Sequence, residues 1–398
     1  MAKDYVEKAK EWAVINVSGK DRCGVISDIS GVLARNNVNI IDIGHTVIHR
    51  MFSMFMVVDV SQSSVSYREL KGMLCGLGKK LSLDVEVNRL EDGVDVTSRG
   101  SQGKSHYVLS VIARDRVGMV YDISKCLFDE GVNILRITLV ARDKLITIEM
   151  LVDIGARSAS DVGRVLTGKG GLLGLDIVFL REDVFKREKR LVVFDMDSTI
   201  VDAEVIDEVA KRAGIDSEVK ALTEQAMDGV IDFKESLRKR VKLLSGLSES
   251  VLREVYGGLR LTTGACELVR ALKVQGYKVA LVSGGFTYFT DRLNDVLHFD
   301  HVYASKLVIK DGKVTGEIEG DIIDERRKGE IIDELMGEYG LVREQVVAVG
   351  DGANDRQMLQ NAGLGIAFNA KDVLKKVSSG SISKENLVGI LDVLGIKD

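Results

Sequence analysis

The pattern of apolar and polar positions changes character near residue 190. Before it, short alternating runs such as WAVINVSG and HYVLSVIAR read as half-buried strands, because side chains at period two face opposite sides of a sheet. This part of the chain repeats itself. KDRCGVISDISGVLARNNVNIIDI (20–43) aligns without gaps on RDRVGMVYDISKCLFDEGVNILRI (114–137), sharing DRxG, DIS and VNI. Each copy continues through further strand-like and helix-like runs, in the first MFSMFMVVDV, SYRELKGMLCGLGKKLS and DVEVNRL. The predicted order is β-α-β-β-α-β in both, a ferredoxin-like unit. Expected bounds are 12–90 and 105–183, with the polar EDGVDVTSRGSQGK (91–104) and residues 184–190 as linkers.

From 191 to 398 apolar strands alternate with longer helical patterns, which predicts an α/β domain with a parallel sheet. LVVF runs into Asp195, KVALV into Ser283 and VVAVG into Asp351. Ligands of such sheets bind beyond the carboxyl ends of the strands, so these three polar endings are expected at one edge. Residues 202–262, helical by pattern, have the size of a small cap over that edge.

Composition narrows the classes. At 398 residues with 45% hydrophobic and 29% charged positions, the chain has the make-up of a globular protein with packed cores. A net charge of −5 gives no reason to expect nucleic acid or an anionic membrane as partner. The basic cluster KREKR (186–190) is expected to be a solvated linker face. Four scattered cysteines and five unclustered histidines argue against zinc and against a disulfide framework. A charged start, MAKDYVEKAKEW, and the lack of a membrane-length apolar run lead to an expectation of a cytoplasmic protein. The chain contains no proline, so its turns must rely on Gly, Asn and Asp.

Four motifs carry candidate chemistry. In FDMDSTIVDAE (194–204), Asp195 and Asp197 share a face if the strand direction persists; one could attack an electrophile while the other moves a proton. A capping turn at a helix start is the plainer alternative. In VSGGFT, Ser283 and Gly284 could cradle phosphate or form an ordinary β-to-α turn. Lys328 in ERRKGE is a cation ahead of a helical run, or a solvated lysine. In GDGAND (350–355), Asp351 and Asp355 lie four apart, with Asn354 placed to cap a helix. Oxygen ligands without His or Cys suit Mg²⁺. In the repeats, Gly24 and Gly118 let a ligand approach the backbone before a helix N-terminus, which favours a carboxylate.

The repeats resemble ACT domains, small modules that commonly bind amino acids at paired interfaces. That resemblance implies a homodimer and an amino-acid effector such as serine near Asp21, Gly24, Asn39, Asp115, Gly118 and Asn133, with pairing alone as the alternative. The ordered set DMDST, strand-end Ser, Lys and GDGAND resembles the haloacid-dehalogenase-type phosphohydrolases. The implied fold is a Rossmann-like parallel sheet with a helical cap. The implied roles are Asp195 as the nucleophile that becomes an aspartyl phosphate and Asp197 as general acid/base. Asp195, the backbone carbonyl of Asp197 and Asp351 would hold Mg²⁺, supported by Asp355, with Asn354 orienting the loop. Ser283, Gly284 and Lys328 would bind the phosphoryl oxygens. Further likeness in EQAMDGVIDFKESLRKRV and KDGKVTGEIEGDII implies O-phospho-L-serine as substrate, hydrolysed at the end of serine biosynthesis. Glu204 would then take its ammonium and Arg240 its carboxylate, with Met227 and Phe233 lining the apolar side. Alternatives are phosphoryl transfer to another alcohol, such as homoserine, and an amino-acid sensor carrying a relic phosphatase domain.

Overall fold

The computed structural model describes residues 11–90, 106–142, 145–227, 230–370, 372–375, 377–383 and 387–396, so the expected linker 91–104 lies outside the described residues. The chain divides into two compact units, 1–101 and 102–398.

In the first unit β1 (Trp12–Lys20), α1 (Val25–Arg35), β2 (Asn39–Ile48), β3 (Met51–Asp59), α2 (Tyr67–Leu81) and β4 (Leu83–Arg89) follow the predicted order. Their antiparallel sheet runs β2-β3-β1-β4. Alternation selects the core: Ile15, Val17, Met54, Met56, Val85 and Val87 are buried with the apolar stripes of α1 and α2. Ser66 and Glu69 close a capping box at the start of α2. The letters shared by the repeats have a structural cause. Arg22 pairs with Asp28 at 2.6 Å, and Arg116 pairs with Asp122 at 2.6 Å. In each copy the arginine of DRxG folds back onto the acid of DIS across a left-handed glycine, Gly24 (φ 96°) or Gly118 (φ 89°).

In the second unit β5 (His106–Ala113), α3 (Met119–Asp129), β6 (Asn133–Arg142), β7 (Ile146–Asp153), α4 (Ala159–Leu173) and β8 (Asp176–Arg181) repeat that order. A short α5 (Glu182–Lys186) leads on to the α/β part. Here one expectation fails: Lys189 of the basic cluster is buried, 7% exposed. Its ammonium donates to Val184 O at 2.5 Å and Arg187 O at 3.0 Å, satisfying carbonyls at the end of α5, and burial lowers its pKa to about 8.

The α/β part contains β9 (Leu191–Phe194), α6 (Val205–Ala213), α7 (Asp216–Met227), α8 (Phe233–Leu243), α9 (Glu249–Gly258) and α10 (Ala265–Val274). There follow β10 (Lys278–Phe286), α11 (Thr287–Leu297), β11 (His301–Lys310), β12 (Lys313–Glu319) and α12 (Glu325–Tyr339). The chain ends through β13 (Val346–Gly350), α13 (Arg356–Asn361), β14 (Leu364–Phe368), α14 (Asp372–Lys375), β15 (Gly380–Ile382) and α15 (Gly389–Val393). Helices α6 to α9 form the expected cap. Two backbone hydrogen bonds tie its stalks together, Asp202 N to Arg260 O (3.0 Å) and Thr262 N to Ile200 O (2.9 Å).

One sheet crosses the whole second unit, in the order β12-β11-β10-β9-β13-β14-β15-β8-β5-β7-β6. Strands β11, β10, β9, β13, β14 and β15 are mutually parallel, and β9 and β13 are buried throughout, as sheets covered on both faces require. Without proline, the β11–β12 hairpin turns at Asp311-Gly312, both left-handed (φ 49° and 69°). The ferredoxin-like sheet is welded on where β15 pairs antiparallel with β8, Gly380 opposite Val178 and Ser381 opposite Ile177. Among the described residues no helix is long and apolar enough to cross a membrane.

The weld is tight. A Cβ on Gly380 would lie 2.4 Å from Val178 Cγ2 and 2.8 Å from its Cα. Gly380→Val is therefore expected to destabilise the second unit by about 1–3 kcal/mol, read as a lower urea midpoint. Gly337→Ala, in α12 with nothing within 4 Å of the added methyl, should instead stabilise by up to about 1 kcal/mol.

Candidate active site

The polar strand endings converge as the parallel topology requires. Strand β9 lies between β10 and β13 in register, Phe194 beside Leu281 and Val349. Asp195 follows β9 and donates its N–H to Val349 O at 2.9 Å, and the residue is 2% exposed. Met196 is fully buried, and Asp197 Oδ1 accepts from Val205 N at 2.9 Å, fixing the start of the cap's first helix. Ser198 takes a left-handed conformation (φ 55°), and its hydroxyl donates to Glu204 Oε1 at 3.2 Å.

Lys328 departs most from the solvated alternative. It lies in the first turn of α12 rather than ahead of the helix, and it is 0% exposed. Its ammonium donates to Asp195 Oδ1 at 2.6 Å and Asp355 Oδ1 at 2.7 Å. The other oxygen of Asp355 accepts the N–H groups of Asp351 and Gly352, each at 3.1 Å. Asn354 does not cap a helix: Ala353–Asp355 is a 3-10 turn, and α13 begins only at Arg356. Its amide oxygen packs against Gly352 instead, 2.3 Å from where a Cβ would stand there.

Oxygens of Asp195, Asp351 and Asp355 lie within 4.8 Å of one another. Three carboxylates converging through oxygen alone form a donor set that fits a hard divalent cation. Asp197 is not among those three: its Oδ1 accepts Val205 N, and Glu204, Lys328 and Asp351 all lie near enough to act on its charge. Burial first, and then Asp355, push Asp195 up, while Lys328 pulls it down. Burial, followed by the nearby Glu204, pushes Asp197 up to about 8. Burial lowers the Lys328 ammonium, but Asp195 and Asp355 outweigh it and leave its pKa raised. The lysine stays charged.

Across from these acids, Ser283 Oγ accepts the N–H of Gly285 at 2.9 Å, which leaves its own proton free to donate. A Cβ on Gly285 would meet Ser283 Oγ at 3.0 Å and Asp197 Oδ2 at 3.2 Å, so a side chain here would fill the space between them. Gly284 lies under the cap: its Cβ position is 3.2 Å from Phe233 Cζ and 3.2 Å from Ile323 O. Arg240 of α8 is 8% exposed, and its Nη1 donates to Thr223 Oγ1 at 3.5 Å. Arg240 Nε is buried without a hydrogen-bond partner. Burial lowers this guanidinium, opposed by Asp207, Glu204 and Asp197.

The side chain of Met227 lies outside the described residues. Gly24 and Gly118 occupy helix N-cap positions, Asn39 and Asn133 open β2 and β6, and Asp21 N donates to Arg50 O at 2.8 Å. Asp115 lies just before the turn into α3. Two residues of the site were not foreseen. Thr223 stands one helical turn before Met227, a spacing that would have placed it on the same face. Ser198 was visible as a hydroxyl but gave no sign of its left-handed turn.

A haloacid dehalogenase-like hydrolase family model matches residues 189–363, and an ACT domain model matches residues 11–88. A phosphoserine phosphatase of Archaeoglobus fulgidus is 51% identical over 344 residues, covering 86% of this chain and 97% of that protein. The phosphoserine phosphatase SerB2 of Mycobacterium tuberculosis is 34% identical over 392 residues, covering 98% and 94%. A solved phosphoserine phosphatase described as a phospho-aspartyl intermediate analogue is 44% identical, with a TM-score of 0.50 over 53% of this chain and 100% of its own. With that identity over nearly the full length of its relatives, the chain is a phosphatase and belongs to the phosphoserine phosphatases among the haloacid dehalogenase-like hydrolases.

Proposed function

We propose that this enzyme hydrolyses O-phospho-L-serine to L-serine and phosphate in a Mg²⁺-dependent reaction, closing a serine-forming sequence. The observation that carries the substrate is Arg240, a buried guanidinium with an unpartnered Nε, on the same cap as Glu204. A zwitterionic amino acid needs one base and one acid held apart, and the guanidinium fork matches a carboxylate. Phe233, packed on Gly284, gives the pocket an apolar wall.

In this mechanism a carboxylate oxygen of Asp195 attacks phosphorus as the bond to the serine oxygen breaks. Asp197, held protonated by burial and by Glu204, gives its proton to the leaving oxygen. The aspartyl phosphate is then attacked at phosphorus by water. Asp197 takes the water's proton, the bond to Asp195 breaks, and phosphate leaves. Lys328 and the Ser283 hydroxyl hold the phosphoryl oxygens throughout. Asp195, the backbone carbonyl of Asp197 and Asp351 would hold Mg²⁺, with Asp355 and Asn354 shaping their loop. When bound there, the cation offsets phosphoryl charge that would repel the attacking carboxylate.

The repeats are proposed to bind an amino acid, serine first among candidates, and to pair two chains. Support comes from Gly24 and Gly118, left-handed at the head of a helix in each copy.

Asp195→Asn is expected to lower phosphate release from phosphoserine by at least about 10³-fold while thermal unfolding stays cooperative. Turnover within tenfold of the native rate would refute the nucleophile. Chelation should abolish activity, and added Mg²⁺ at about 100 times its Kd should restore it and stabilise the fold by about 2.7 kcal/mol. Calorimetry would test this, and Asp351→Asn should lose most of the gain. Arg240→Met should raise KM for phosphoserine about 10- to 100-fold, but leave phosphoethanolamine, which has no carboxylate, nearly unaffected. Equal losses on both substrates would remove Arg240 from carboxylate recognition.

A further inference from the structure

The two ends of α8 are held to the core by different means. Beyond its C-terminal end, Gly246 N donates to Val314 O (2.8 Å), Val314 N to Leu247 O (2.9 Å) and Glu249 N to Gly312 O (2.8 Å). Ser245 Oγ adds a bond to Thr315 O at 3.0 Å. These contacts fasten that end to the β11–β12 hairpin mainly through backbone. At the N-terminal end, among the described residues, one polar contact joins the first turn to the core: Lys234 Nζ to Asp324 Oδ2 at 3.0 Å.

We propose that Lys234 and Asp324 form a latch that holds the cap closed, and so act as a positioning pair for the reaction. The proposal rests on the phosphatase reading above. Asp324 is a fixed strike plate. It is the N-cap of α12, and its Oδ1 accepts Arg327 N at 2.8 Å, so the carboxylate is placed before Lys234 arrives. Neighbouring cations are committed elsewhere: Arg327 to Glu330 and Glu334, and Arg326 to Glu330. Partial burial works against its ionisation, but the Arg327 N–H and Lys234 prevail and keep its pKa low. The carboxylate is half-sheltered, with side-chain exposures of 36% for Lys234 and 18% for Asp324.

The latch is coupled to the site at both partners. Lys234 follows Phe233, whose ring lies on Gly284, and two turns along the same helix is Arg240. Asp324 opens the helix whose first turn carries Lys328. Breaking the ion pair frees the first turn of α8 while the hairpin junction holds the far end. The helix then swings from that end, lifting Phe233 off the phosphate loop to admit substrate. The apparent affinity of a ligand that needs the closed cap falls in proportion as the closed fraction falls.

Two conservative changes separate the latch from folding. Lys234→Met keeps the aliphatic stem, and Asp324→Asn keeps an N-cap side chain while removing the charge. Each should raise KM for phosphoserine about two- to fivefold with kcat unchanged or higher, and the double variant should be no worse than either single. Amide hydrogen exchange without substrate should quicken at 233–236 in each variant and stay unchanged at 243–249. Unchanged KM and exchange in the single variants, or strictly additive effects in the double, would overturn the latch. If the native enzyme fails to turn over phosphoserine, the substrate reading falls by itself, and the exchange arm still decides the latch.

Discussion

A fully buried ammonium organises this active site. Lys328 is enclosed by Asp195 and Asp355, residues 133 and 27 positions away in sequence. A charge without water must keep its partners, because losing one leaves several kcal/mol of uncompensated desolvation. The requirement fixes β9, β13 and the first turn of α12 relative to one another. Strand register must obey it too, since a slip of one residue would turn Asp195 to the opposite face of the sheet. The two N–H groups that grip Asp355 extend the same constraint into the loop carrying Asp351.

Much of this was legible in sequence because the signals were redundant. The repeat, the strands running into Asp195, Ser283 and Asp351, and the helical cap each rested on a pattern several residues long. What escaped rested on single residues. Lys328 entered the site only through the motif set, and the pattern placed it ahead of its helix rather than within the first turn, because the true start at Asp324 competes with several acids for that assignment. Asn354 looked like a cap because the 3-10 turn that displaces the helix leaves no compositional mark. Lys189 was misread because a basic cluster does not reveal that one member turns inward to satisfy carbonyls.

The repeat carries a similar lesson. DRxG suggested a ligand turn, and its glycines are left-handed as that idea requires. Its arginine, however, is already employed: Arg22 and Arg116 each pair with the aspartate of DIS. Part of the shared motif therefore serves to close a loop onto its own helix.

The antiparallel join between β15 and β8 also bears on how the chain could be shortened. Strand β15 has three residues and bonds on both sides, to β14 and to β8. Cutting away the second ferredoxin-like unit would strip one side of that strand and leave a row of open amides and carbonyls. Gly380 has no side chain to obstruct a newcomer. Such a fragment would offer a ready template for edge-to-edge association. The second ferredoxin-like unit thereby keeps the enzyme's sheet from becoming the start of an aggregate.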